Sequence, residues 1–207
     1  MTTPDWLPAF AELPRRISRD DLAMIPHGGD EDTRSSAVLI LLGDSPSGPD
    51  VLITQRSTNL RTHAGQPAFP GGAIDENDES ASAAAVREAV EETGLEPSGI
   101  VVLGELPTLW LPPSNFHVTP ILAWWARPSP VFPMNTIEVE RVERITLAEF
   151  AEPENRFRIE LSGGFIGPAF KVAGFTVWGF TAGVIDRLLY LTGRELPWES
   201  DRMLARP

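Results

Sequence analysis

The chain has no cysteine among its 207 residues. Disulfide scaffolds, thiolate nucleophiles and cysteine-ligated metals are therefore excluded. It is also short of basic residues: 17 Lys and Arg stand against 29 Asp and Glu, for a net charge of -12. Nonspecific nucleic-acid binding depends on Lys and Arg neutralising phosphates, so this balance argues against a nucleic-acid partner. It is no bar to a small phosphate-bearing substrate, because a bound cation inverts the local field. Long apolar runs are missing as well. The longest, Val118 to Ala126, contains Pro120 and falls far short of the roughly 20 residues that span a bilayer. No membrane association is expected. The N-terminus lacks a basic-then-apolar leader pattern, and Pro4, Pro8 and Pro14 would break one. The cytoplasm is the default expectation.

What is present reads as globular, with 42% hydrophobic and 22% charged residues. The length suits one domain with appendages. The expected division is an N-terminal extension over 1–34 packed on the domain, a main domain over 35–192, and a tail over 193–207. Ser36–Gly43 is a continuous apolar run, as in a strand buried on both faces. Turn chemistry over Asp44–Asp50 and a second strand at Val51–Gln55 predict a hairpin. Further strands are expected near 100–108, 117–126, 156–159 and 169–172. A helix entered through Thr146 should begin at Leu147. A last helix should run over Thr181–Thr192 and stop at Gly193. A short helix is expected near Arg19–Met24. This mixture points to an α/β fold with a mixed sheet sandwiched between helices.

The chemistry concentrates in Arg87-Glu88-Ala89-Val90-Glu91-Glu92-Thr93-Gly94-Leu95, downstream of the Gly71-Gly72 turn. A helix is predicted over about 79–93. At about 100° per residue, Glu92 lies ~40° to one side of Glu88 and Glu91 ~60° to the other. The three carboxylates therefore share one face, with Val86 and Val90 opposite. Ala81, Ala84 and Ala85 lie on the carboxylate face one turn earlier, where small side chains would leave room for ions and a diphosphate. Gly94 suits a left-handed cap, and Pro97 stops any continuation. Carboxylate oxygens are the hard ligands that Mg²⁺ or Mn²⁺ prefers. Like charges this close need compensation, of which Arg87 supplies only one unit. The alternative is a solvated acidic helix face.

These residues resemble the box of the Nudix hydrolase superfamily: Arg87, Glu88, Glu91, Glu92, Gly94 and Leu95 match. The loop before them is one residue longer than the general pattern. Counting back from Arg87 reaches Glu79, whereas counting forward from Gly72 reaches Asp78. A second motif lies upstream. Leu52-Ile-Thr-Gln-Arg56, with Arg61, Gly65 and Phe69-Pro70-Gly71-Gly72, is similar to the signature of the coenzyme A pyrophosphatase branch. Asp75 and Asp78 in the longer loop are also usual there. Weaker similarities run through Leu106–Pro120, Ile137–Val139 and Phe175–Gly183.

The resemblance implies the Nudix fold and cleavage of a coenzyme A diphosphate to 3′,5′-ADP and (acyl-)4′-phosphopantetheine, with Mg²⁺ or Mn²⁺. Alternatives are hydrolysis of another nucleoside diphosphate derivative, such as ADP-ribose, or a sensing domain without turnover. Glu88 and Glu92 are the implied metal ligands, with Glu91 as a further ligand or the general base. Arg87 would orient a glutamate. Glu138 is the candidate for a carboxylate from outside the helix, with Glu140 and Glu143 as rivals. Arg56 and Arg61 could grip phosphate bidentately or pair with box carboxylates. Gly71 and Gly72 would allow close backbone approach. Ser114 and Phe116 are candidate contacts to the substrate's arm, with Trp110 and Leu111 beside them. His63 could bind phosphate or cap its loop. A small-molecule substrate is the expected partner, and the reading admits a homodimer.

Overall fold

The computed structural model describes residues 3–22, 33–60, 62–111, 115–161 and 163–205. Three short helices open the chain: α1 (Leu7–Ala11), α2 (Leu13–Arg16) and α3 (Arg19–Leu22). The strands β1 (Arg34–Ser45) and β2 (Gly48–Arg56) form the predicted hairpin, and β3 (Pro67–Ala68) and β4 (Gly71–Ala73) follow. Helix α4 (Ala81–Thr93) carries the carboxylates. Then come β5 (Ile100–Glu105), β6 (Leu109–Leu111), β7 (Phe116–Trp125) and β8 (Val139–Thr146). Helix α5 (Leu147–Ala151), β9 (Arg156–Glu160), β10 (Ile166–Val172), β11 (Phe175–Trp178), α6 (Gly179–Leu191) and β12 (Met203–Leu204) complete the order.

The main sheet has eight strands along the path β3-β2-β1-β7-β5. In addition β4 joins β1, β6 joins β7 and β8 joins β2. Strand β1 lies at its centre, parallel to β7 over Arg34–Leu42 and antiparallel to β2 and β4. Both of its faces are covered, which accounts for its unbroken apolar run. Ala37, Leu39 and Leu41 face one layer with Ile121, Trp125 and the alanines of α4. Ile40 and Leu42 face the other, among Phe10, Leu13, Leu22, Phe150, Phe170 and the apolar side of α6. The mixed sheet between helices is thus as expected. That second layer also contains a separate four-stranded sheet, β11-β10-β9-β12.

Local signals set the helix ends. Thr146 accepts from the Glu149 amide and opens α5. Ser80, extended at φ -164°, accepts from the Ala83 amide at 3.1 Å and opens α4, so the helix starts two residues later than predicted. Gly94 closes it in the left-handed region at φ 69°. Trp178 stands half-buried at the start of α6. Strand β8 was not expected at all.

The C-terminal segment is tied down by a buried cation. Arg156 is 1% exposed and pairs with Asp186 at 2.6 Å and Glu195 at 2.9 Å. Trp198 covers its guanidinium at 4.6 Å, and β12 adds to β9 in parallel. No helix among the described residues is long and apolar enough to cross a membrane.

Candidate active site

Helix α4 lies on the face of the main sheet, and the way it is turned decides how each carboxylate is presented. Ala84, Ala85 and Ala89 are fully buried against β1 and β7, and Glu92 is 5% exposed beside them. Val86 and Val90 only border this layer, half-buried. The buried arc is therefore centred between Ala85 and Ala89, a quarter-turn from the expected Val86–Val90 side. This corrects the reading of the alanines as room left for ligands. Ala84 and Ala85 are instead the helix's footing on the sheet, where methyl groups let two backbones approach around Leu39, Leu41 and Trp125. The rotation carries Glu92 into the wall, leaves Glu88 half-buried and leaves Glu91 exposed.

Burial dominates the Glu92 carboxyl and pushes its pKa up to about 8. Arg56 pulls it down, Glu88 pushes it up, the Gly71 N–H favours the charged form and Glu138 opposes it. Four sequence candidates thus surround one buried acid. Its Oε2 has no hydrogen-bond partner, and neither does the buried Nε of Arg56. Unpartnered buried polar atoms are costly, and these two sit where a ligand would complete them.

Glu88 is seated by the glycine turn. A Cβ on Gly72 would stand 2.5–2.7 Å from the Glu88 carboxylate atoms, so only glycine leaves it space. A Cβ on Gly71 would run into the Ala37 carbonyl, because β4 lies directly against β1. Burial raises the Glu88 pKa, Arg87 counteracts this, and Glu91 and Asp75 add to the rise.

Arg87 is the hub of the loop before the helix. Its Nε and Nη2 donate to the two carboxylate oxygens of Asp78 at 3.0 and 2.9 Å, a bidentate fork. Its Nη1 donates to Glu88 at 2.9 Å and lies 3.5 Å from Glu91, while Nη2 also reaches the Ala73 carbonyl. Asp78 is held well below the usual carboxylate range, by Arg87 first and then by the Asp75 backbone. Glu79 is exposed at the edge of this turn. Sequence reasoning did not single out Asp78 as the partner of Arg87, although the forward count from Gly72 ends on it.

Arg56 ends β2, with its backbone held by Gln66 and Gly65, and Arg61 lies outside the described residues. Glu138 is exposed; its carbonyl accepts from the Ser57 amide at 2.7 Å, which ties its segment to the residue after Arg56. Its rivals are engaged elsewhere: Glu143 pairs with Arg141 at 2.9 Å, and Glu140 accepts from the Thr58 amide. His63 bonds the Gln66 side chain at 2.6 Å within its own loop. Ser114 lies outside the described residues. Phe116 opens β7 under the guanidinium of Arg34 at 4.4 Å, and Trp110 Nε1 donates to Asn115. Arg34 was not among the sequence candidates.

Among the described residues no three acidic or imidazole groups form a ready-made metal cage. Glu88 is turned to Arg87, and charge repulsion keeps uncompensated carboxylates apart. The donor set nevertheless suits a hard divalent cation. It is all oxygen, it is partly desolvated, and it includes the unpartnered Oε2 of Glu92.

A carboxylate helix fed by a glycine turn and faced by an arginine is the site of a phosphoanhydride-cleaving class of protein. Comparison makes the family plain: residues 32–162 match the NUDIX domain, and the chain belongs to that family, whose members hydrolyse diphosphates. It is 35% identical over 198 residues to the uncharacterized Nudix hydrolase NudL of Escherichia coli (strain K12), covering 93% of this chain and 96% of that one. The Shigella boydii serotype 4 (strain Sb227) protein of the same name gives the same identity and coverage. The crystal structure of RenU, a Nudix hydrolase from M. smegmatis, superposes with TM-score 0.52 at 20% identity, over 81% of this chain and 89% of that chain. At that identity the likeness speaks to the fold.

Proposed function

We propose that the protein hydrolyses the diphosphate of coenzyme A, or of its acylated or oxidised forms, to 3′,5′-ADP and (acyl-)4′-phosphopantetheine. One observation carries this reading: Gly72, from the upstream motif, lies so close to Glu88, from the box, that a Cβ there would stand 2.5–2.7 Å from the carboxylate. Two motifs separated in sequence therefore build one site. The upstream motif is the one that resembles the coenzyme A branch, and the branch-like Asp75–Asp78 loop is the one that holds Arg87.

In this reading Glu88 and Glu92 hold Mg²⁺ or Mn²⁺, with Glu138 as the further oxygen donor. When bound, the cation neutralises the diphosphate and lowers the pKa of an attacking water. Arg56 takes a phosphate oxygen through its guanidinium, whose buried Nε has no hydrogen-bond partner in the protein. Gly71 and Gly72 set the turn beside the phosphates, Gly71 by packing β4 on β1 and Gly72 by leaving the Glu88 carboxylate its place. Arg87 is a positioning residue that holds Glu88 and the loop in place. Glu91, exposed beside them, takes the proton of the attacking water. Phe116, stacked on Arg34, offers a flat face at the end of β1 nearest the box loop.

The test is incubation with coenzyme A, ADP-ribose and NADH in Mg²⁺, with products separated chromatographically. Release of 3′,5′-ADP from coenzyme A alone supports the reading. Turnover confined to ADP-ribose or NADH, or none at all, overturns it.

A further inference from the structure

Large apolar side chains exposed singly are ordinary on protein surfaces. Phe132, Met134 and Ile137 are not single: they lie within six residues and are 52%, 55% and 76% exposed. Their backbone is pinned at both ends to the site. The Phe132 amide donates to the Thr93 carbonyl and the Met134 amide to the Glu92 carbonyl, each at 3.0 Å. At the other end, Glu138 is bonded through its carbonyl to Ser57, next to Arg56. Gly94 makes room for this arrangement. A Cβ there would meet Met134 Cγ at 2.9 Å and Phe132 Cζ at 3.5 Å, so both side chains lie across the capped end of α4.

We propose that Phe132, Met134 and Ile137 form an apolar shelf that takes the carbon chain of the uncharged arm carried on the far phosphate of the substrate. The inference rests on the diphosphate reading above and deepens it. The segment 131–140 contains Glu138 and Glu140 but no cation. With no cation to take a phosphate, the segment fits the uncharged half of the molecule. The shelf begins at the capped end of α4, whose last turn carries Glu91 and Glu92, and runs to Glu138, so it borders the turn that presents those carboxylates. The other exposed apolar pairs, Val101–Val102 on β5 and Phe165–Ile166 at β10, carry no such link to the carboxylates.

The experiment uses adenosine 5′-(alkyl methylenediphosphonates), which cannot be cleaved at the bridge, with alkyl arms from methyl to pentyl. Affinity is measured calorimetrically in Mg²⁺. Partial burial on a shelf should give about twofold per methylene, against about fourfold for complete burial, and so on the order of tenfold across the series. Ile137→Ser and Met134→Ser should each flatten that slope, with folding checked by thermal melting. Val101→Ser should keep it. A flat series in the unsubstituted protein, or a full slope in Ile137→Ser, overturns the shelf. So does conversion of a dimer to a monomer by Ile137→Ser with the slope intact, because the patch then serves a second copy. Turnover of the cleavable alkyl diphosphates is read separately. A slope without turnover would refute the hydrolase reading and leave the shelf standing.

Discussion

Glu92 and Arg56 oppose each other inside the wall of the site, and each keeps one buried polar atom without a hydrogen-bond partner. Opposite charges that feel each other inside a protein can close into an ion pair. Here they are held apart by different elements, Glu92 by α4 on its alanine footing and Arg56 by the end of β2. In the proposed reading, the buried carboxyl is thereby left for a cation and the half-buried arginine for a phosphate.

The first prediction concerns metal-free stability. The Glu92 pKa is raised from 4.5 to about 8, so the folded protein binds this proton more tightly than the unfolded chain. The resulting stability is fully present below about 4.5 and is lost as pH rises through about 8. Glu92→Gln should therefore stabilise the metal-free protein at pH 9, on the order of 3 kcal/mol, and change little at pH 5. Denaturant titration at the two pH values checks this. Mg²⁺ should raise the Tm of the unsubstituted protein at pH 8 and leave Glu92→Gln nearly unmoved.

The glycine pair should separate into two phenotypes. Gly72→Ala puts a methyl group on the Glu88 carboxylate, and should weaken Mg²⁺ binding on the order of tenfold with a small change in Tm. Gly71→Ala collides with backbone and should cost about 1–3 kcal/mol of stability. Calorimetric Mg²⁺ titration and thermal melting distinguish them.

The fork between Arg87 and Asp78 should act on rate through position. Arg87→Lys keeps the charge and loses the bidentate grip, and should lower kcat by about tenfold or more. Asp78→Asn should lower the same parameter less, and the two effects should be non-additive in a double-mutant cycle. Glu79→Gln should behave as the unsubstituted protein.

Arg156 should matter to the fold alone. Replacing it with Met leaves Asp186 and Glu195 without their cation, and should cost on the order of 3 kcal/mol. Below the melting transition, kcat/KM should be unchanged.

The fold was legible where one residue pattern left one reading. The run 36–43 named a strand buried on both faces, and Thr146, Gly94 and Gly193 marked helix ends. Strand β8 escaped because its alternation, Val139-Glu-Arg-Val-Glu-Arg-Ile145, is dense in charge and reads as a solvated run. At the site, helical arithmetic grouped the carboxylates but could not set the helix's rotation against the sheet. Tertiary packing decided that, and it chose the alanines over the valines. The partner of Arg87 was hidden for a related reason: the longer loop lets Asp78 reach back across nine residues, which no periodicity describes.

Glu88→Gln assayed on coenzyme A with Mg²⁺ tests the central claim most directly, because Glu88 is the carboxylate that glycine turn, hub arginine and buried acid all surround. Turnover should fall by orders of magnitude, with the melting temperature and far-ultraviolet circular dichroism preserved. Undiminished release of 3′,5′-ADP from a folded Glu88→Gln protein would contradict the account.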